Sequence, residues 1–152
     1  MSLESDTESV QAIIAALYEG ISHEPGELPN WERLRPLFIE SARIIPPSPE
    51  GGPPVVMDVE TFAERVNESV LKAGQADRGF HEQETANRTE AFGNIAHVWS
   101  TYESRYTAED REPFSRGINS FQLLHHSGRW WVVTIFWDVE RPDNPIPERY
   151  RA

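Results

Sequence analysis

The run Arg129-Trp130-Trp131-Val132-Val133-Thr134-Ile135-Phe136-Trp137 opens a stretch, 129–140, that reads as a strand, because aromatic and β-branched side chains favour the pleated backbone. Strand parity sets Trp131, Val133, Ile135 and Trp137 on one face and Trp130, Val132, Thr134 and Phe136 on the other. Both faces are apolar, and one layer of helices covers only one face of a sheet. The second face needs a partner, and a second copy of the chain is the simplest supplier. The expected assembly is therefore a homodimer through the outer sheet face.

Working outward, Ser127-Gly128 turns the chain back onto residues 115–126, a second strand. A charged loop, residues 107–113, precedes it. Residues 95–106, rich in Val, Trp, Thr and Tyr, form another strand, joined through the two-residue turn Gly93-Asn94 to a long polar strand over residues 80–91. The first half reads differently. Val10, Ile13, Ile14, Leu17, Tyr18 and Ile21 follow the i, i+3, i+4, i+7 spacing of an amphipathic helix, with Ser5 and Glu8 as a possible capping box. Asn30 caps a shorter helix carrying Trp31, Leu34, Leu37 and Phe38, interrupted by Pro36. A short strand at 42–45 runs into a proline loop. Asp58 then caps a third helix with Val59, Phe62, Ala63, Val66, Val70 and Leu71 on its pattern, and Gly74 is its expected C-cap. Helices first and hairpin-linked strands afterwards predict an α+β fold. The length suits one domain, 1–152, with an extended proline-containing tail from about 141.

Composition excludes several functions. Fourteen Lys and Arg stand against 25 Asp and Glu, for a net charge of −11, and such a surface repels nucleic-acid backbones. The chain has no cysteine, which removes thiolate metal ligands and a cysteine nucleophile. His125-His126 is no metal pair, since adjacent strand residues point to opposite faces, so neither a metal nor a cofactor is expected. No apolar run is long enough for a membrane span. The acidic start, Met1-Ser2-Leu3-Glu4-Ser5-Asp6, is unlike a signal peptide, so the expected compartment is the cytoplasm.

The segments 10–17, Trp31-x-x-Leu34-x-x-Leu37-Phe38, 62–71, Gly93-Asn94 and Gly128-Arg129-Trp130-Trp131-Val132-Val133 together resemble the nuclear transport factor two-like superfamily, also called SnoaL-like or cystatin-like. The resemblance covers nearly the whole chain. It implies a cone: a curved antiparallel sheet wrapped around N-terminal helices, with an apolar pocket inside and, in many members, a homodimer through the outer sheet face. It implies no single chemistry. The ketosteroid isomerases of this superfamily use a carboxylate base, a tyrosine and a protonated aspartic acid. Aligned here, these fall at Pro46, Ile13 and Asn119. Proline and isoleucine neither move protons nor donate hydrogen bonds, so that mechanism is excluded in that form.

Under this resemblance, parity sends Val98, Ser100, Tyr102, Asn119, Phe121, Trp131 and Trp137 inward. On the polar strand it sends His81, Gln83 and Thr85 inward and Glu82 and Glu84 outward; a bulge would invert part of this. His81 is then the candidate base, as an inward histidine serves in dehydratases of the superfamily. Tyr102 and Asn119 are candidate donors, and Phe121, Trp131 and Trp137 candidate walls. The expected function is binding of a small apolar molecule. Two alternatives stand beside it: lyase or isomerase chemistry with His81 as base, and a non-catalytic dimeric module whose own aromatics fill the cone.

Overall fold

The computed structural model describes residues 2–72 and 77–151. Gly74, the expected cap, lies outside them. Helix α2 (Val10–Ile21) starts at Ser9, whose side chain accepts the Ala12 amide at 3.0 Å. The expected Ser5–Glu8 box is absent; Ser5 instead pairs with Ser2 to cap a separate single turn, α1 (Leu3–Asp6). That turn is pinned by Asp6, which is buried and receives two hydrogen bonds from Arg33, at 2.9 and 3.0 Å. The guanidinium holds the Asp6 carboxyl below its ordinary range.

Helix α3 (Trp31–Leu34) is capped by Asn30 and continues as a 3-10 turn, Arg35–Leu37, because Pro36 has no N–H for an α-helical bond. Gly20 of α2 faces α3: a Cβ there would lie 2.7 Å from Leu34 Cδ2, so glycine sets how closely the two helices pack. Strand β1 (Phe38–Ile45) follows, then α4 (Val59–Leu71), capped by Asp58, and the meander β2 (His81–Phe92), β3 (Ile95–Arg105), β4 (Ser115–His126) and β5 (Arg129–Val139).

The sheet order is β1-β5-β4-β3-β2. The meander is antiparallel, and β1 adds to β5 in parallel. The sheet curves without closing, and Ile13, Ile14 and Leu17 of α2 enter its concave face to meet Val98, Phe121 and Val132 in one buried cluster. No helix among the described residues is long and apolar enough to cross a membrane.

Two bulges decide which side chains point inward. Residues opposite one another in a ladder share a face. In β2, Thr89 opposes Val98 and Asn87 opposes Ser100, but Ala86 opposes Thr101 and Glu84 opposes Tyr102, leaving Thr85 as the extra residue. From that point the even positions join the concave face. Glu82 and Glu84 turn inward, the expected inward setting of His81 and Gln83 is reversed, and Thr85 itself is left without a partner in the ladder. In β5, Thr134 opposes Gln122 and Val132 opposes Leu123, so Val133 is extra. Ile135 and Trp137 keep the expected face. Val132, fully buried, and Trp130 take the inward positions that parity assigned to Val133 and Trp131.

The tail folds back instead of running free. Residues 141–144 form a turn, and Glu148–Tyr150 is a 3-10 turn. The Tyr150 ring lies 5.7 Å from that of Trp99, and its carbonyl accepts the Thr101 hydroxyl at 2.6 Å, on the convex face of β3.

Candidate functional site

The concave face encloses a cavity of about 630 Å³, within the range typical of small-molecule sites. Leu17, Trp31, Phe62, Phe121, Ile135 and Trp137 give it an apolar wall. The aromatics brace one another without filling the space: Phe62 meets Trp31 edge-on at 5.9 Å and Trp137 at 6.3 Å. The Trp31 indole N–H is already satisfied by Asn67 Oδ1 at 2.8 Å.

Its floor is polar and ordered. Asn119 uses both amide hydrogens, one toward Tyr18 Oη and one toward Glu82 Oε1, each at 3.1 Å. Tyr18 Oη lies 2.6 Å from Ser100 Oγ, and Ser100 in turn donates to Glu84. A serine hydroxyl has one proton, so with that proton on Glu84 the Ser100 oxygen accepts from Tyr18. The polarity of the chain follows: Asn119 donates to Tyr18, Tyr18 to Ser100, and Ser100 to Glu84. Asn87 adds a bond to the same Glu84 oxygen at 2.9 Å.

Glu82 is the only acidic residue lining the cavity among the described residues. Protein surrounds its carboxyl, and this desolvation pushes its pKa up to about 7 despite the Asn119 bond, which favours the charged form. The residue keeps partial solvent contact because it opens on the cavity, and also on a groove between α2 and β2 bordered by Ile14, Ser22 and Glu84. Tyr102 and Tyr18 are both raised well above the ordinary phenol range, first by burial and next by the Glu82 charge. Both remain neutral donors at physiological pH. Tyr102 lines the cavity, and its hydroxyl has no hydrogen-bond partner among the described residues.

Of the residues singled out from sequence, Tyr102, Asn119, Phe121 and Trp137 line this cavity. His81 does not. The bulge at Thr85 turns it away, and its Nε2 lies 3.5 Å from Glu24 Oε1. Trp131 is also displaced by a bulge: its ring carries the Arg129 guanidinium at 3.6 Å, and its indole donates to His126 O. Pro46 lines the cavity, so the aligned base position is present but inert, whereas Ile13 is buried in the core. Tyr18, from the first long helix, and Glu82, from β2, line the cavity instead. Sequence reading missed both as site residues. The signal for Tyr18 was its place on the buried stripe of α2; Glu82 had none, because the bulge that turns it inward leaves no mark in the local sequence.

No protein-family model matches the chain, and no curated protein sequence matches it. Solved structures do. A Nostoc punctiforme protein of unknown function with a cystatin-like fold is similar at TM-score 0.65 and 11% identity, over 88% of this chain and 90% of that one. This chain has the nuclear transport factor two-like, or cystatin-like, fold. A Parabacteroides distasonis protein named as a candidate ketosteroid isomerase is similar at TM-score 0.58 and 13% identity, over 89% and 91% of the two chains. An Exiguobacterium sibiricum protein named as a candidate calcium/calmodulin-dependent kinase II association domain is similar at TM-score 0.57 and 15% identity, over 88% and 92%. At these identities the likeness concerns the fold alone.

Proposed function

We propose that this protein binds a small, largely apolar molecule in the cavity and presents its polar group to Tyr102 and Glu82. The observation that carries this reading is the floor: an unspent phenol donor beside a carboxyl, in an otherwise apolar chamber of about 630 Å³. A ligand burying on the order of 200 Å² of apolar surface gains roughly 5 kcal/mol before association costs, at about 25 cal/mol per Å². The floor then fixes orientation. Trp31 and Trp137 line the chamber, so a bound uncharged ring ketone such as 2-tetralone is expected to change tryptophan fluorescence and raise the melting temperature. Tyr102→Phe should weaken the ketone about tenfold with little effect on the free protein. Absence of any ring-ketone binding would overturn the proposal.

A second reading, proton transfer, is favoured by the position of Glu82. A base titrating near neutrality suits proton abstraction beside a carbonyl. Glu82 takes the proton as the C–H bond breaks, the electron pair moves onto the carbonyl oxygen, and Tyr102 donates to the enolate that forms. The proton returns from Glu82 to carbon. In this reading the base is Glu82, not His81. The test is exchange of the α-hydrogens of 2-tetralone in D₂O followed by NMR: it should exceed the buffer rate and fall at least a hundredfold in Glu82→Gln. Exchange at the buffer rate would refute it.

The convex face supports self-association. Trp99, Ser120 and Phe136 lie in one row across β3, β4 and β5, with Trp99 40% and Phe136 45% exposed. The tail residue Tyr150 continues this apolar row at Trp99. A homodimer through this face is expected to scatter light as twice 17.4 kDa, and Phe136→Arg to yield monomer. A monomeric parent would eliminate this assembly.

A further inference from the structure

The chain carries 25 acidic side chains against 14 basic ones, yet among the described residues its cavity reverses that balance: Arg65 and Arg78 line it with only Glu82 as an acid. The two kinds of charge are also separated in depth. Arg65 and Arg78 are exposed, so they stand at the rim, while Glu82 belongs to the floor with buried Tyr102 and Asn119. The arginines come from different segments, Arg65 from α4 and Arg78 from the approach to β2.

Among the described residues neither rim arginine is spent on an acid. Glu64 and Glu68 are near neighbours of Arg65 along α4, but among the described residues no ion pair joins them, and Arg65 lines the cavity instead. Arg78 places its guanidinium 4.7 Å over the Tyr106 ring, and that ring stacks on Phe114 at 4.1 Å and 8°. An arginine held over a ring and joined to no acid keeps N–H donors for an acceptor, and a carboxylate matches them. Tyr106, Phe114 and Phe80 continue from this rim as apolar lining. The rim thus offers cationic donors at the entrance of an apolar chamber.

We infer that the cavity selects an apolar carboxylic acid, held with its carboxylate at Arg65 and Arg78 and its hydrocarbon body against the aromatic wall. This rests on the reading of the cavity as a ligand site and narrows its occupant to an anion. An acid bound the other way round would set its charge beside Glu82 in a desolvated floor, which opposes it. The long-range field of a chain at −11 also repels anions, so any preference for one has to be made locally by these two side chains.

The test uses a matched pair of probes, 2-naphthoate and 2-naphthalenemethanol, titrated calorimetrically at pH 6.5 into the full chain and into the double variant Arg65→Gln/Arg78→Gln. Both arginines are exposed, so the variant should keep the parent's melting temperature. The parent is expected to bind naphthoate about tenfold more tightly than the alcohol, and the variant to lose that preference while holding the alcohol unchanged. Raising salt from 50 to 500 mM should erode naphthoate binding in the parent alone; this check needs no variant. Equal affinity for the two probes in the parent, or a preference that survives in the variant, would overturn the inference and leave the cavity as a site for neutral ligands. Failure of both probes would count against the cavity as a ligand site altogether.

Discussion

Glu82→Gln is expected to be more stable than its parent at pH 8, by up to about 3 kcal/mol. The folded carboxyl titrates at about 7 against an ordinary value of 4.5, and each unit corresponds to about 1.36 kcal/mol. The sign follows from proton uptake. Between about pH 4.5 and pH 7 the folded state holds a proton at Glu82 that the unfolded chain has released, so stability falls as pH rises through this window. Below it both states are protonated and the group contributes nothing. Above it both are ionised and the full penalty persists. Glutamine is uncharged throughout, and its carbonyl still accepts from Asn119. For a domain of this size the difference corresponds to roughly 6–12 °C in melting temperature at pH 8, shrinking toward zero near pH 4.5. Measuring both proteins across this range isolates Glu82 from acids such as Asp6 and Glu103, whose pKa values are lowered by arginine partners and which act at more acidic pH in both chains. A difference that does not change with pH, or a variant less stable than its parent at pH 8, would show that the carboxyl is not held in a desolvated site. The same substitution is the one expected to stop proton exchange. Gain of stability with loss of exchange is the pattern of a group retained for chemistry at a cost to the fold.

The fold was legible because its signals repeat. The helical stripe of α2, the Asp58 cap, both hairpin turns and the aromatic strand β5 each point to the same layer arrangement, and the expected elements differ from those observed by a residue or two at most ends. The site was half legible. Tyr102, Asn119, Phe121 and Trp137 lie on stretches where strict alternation holds, and alternation found them. His81 and Trp131 lie beyond the bulges at Thr85 and Val133, where one extra residue exchanges the two faces. Nothing in Glu84-Thr85-Ala86 or Val132-Val133-Thr134 marks such an insertion, since neither holds the glycine that announces some bulges. The bulge in β2 is fixed by what it brings together: Glu84 meets Ser100, and Glu82 meets Asn119. Those pairings are tertiary, so local sequence does not report them. The tail is a similar case. Its three prolines read as an extended tail, but Tyr150 and buried Ile146 anchor it to the sheet.

Gly117→Ala is expected to disable the floor from the other side. Gly117 opposes Tyr102 across β3 and β4 and Val139 across β4 and β5. A Cβ there would lie 2.4 Å from the Asp138 carbonyl oxygen, 2.5 Å from Tyr102 Oη and 2.7 Å from Tyr102 Cζ. The first contact is with backbone in the middle of a sheet and has no easy relief. The other two force the phenol off its present position. Overpacking of this kind typically costs about 1–3 kcal/mol, and the backbone clash places this site at the upper end, a drop of roughly 6–12 °C in melting temperature. Ring-ketone affinity should fall with it, because the displaced hydroxyl no longer meets a carbonyl held over Glu82. A double-mutant cycle separates the two effects. Tyr102→Leu removes the ring atoms that the new methyl would strike but leaves the Asp138 clash in place. In the leucine background Gly117→Ala should therefore cost less stability than in the parent, by about 1 kcal/mol, and change ring-ketone affinity hardly at all. If the alanine costs the same in both backgrounds, the glycine serves only the passage of β5. If it leaves both stability and affinity untouched, the close fit of Tyr102 over Gly117 does not hold in solution.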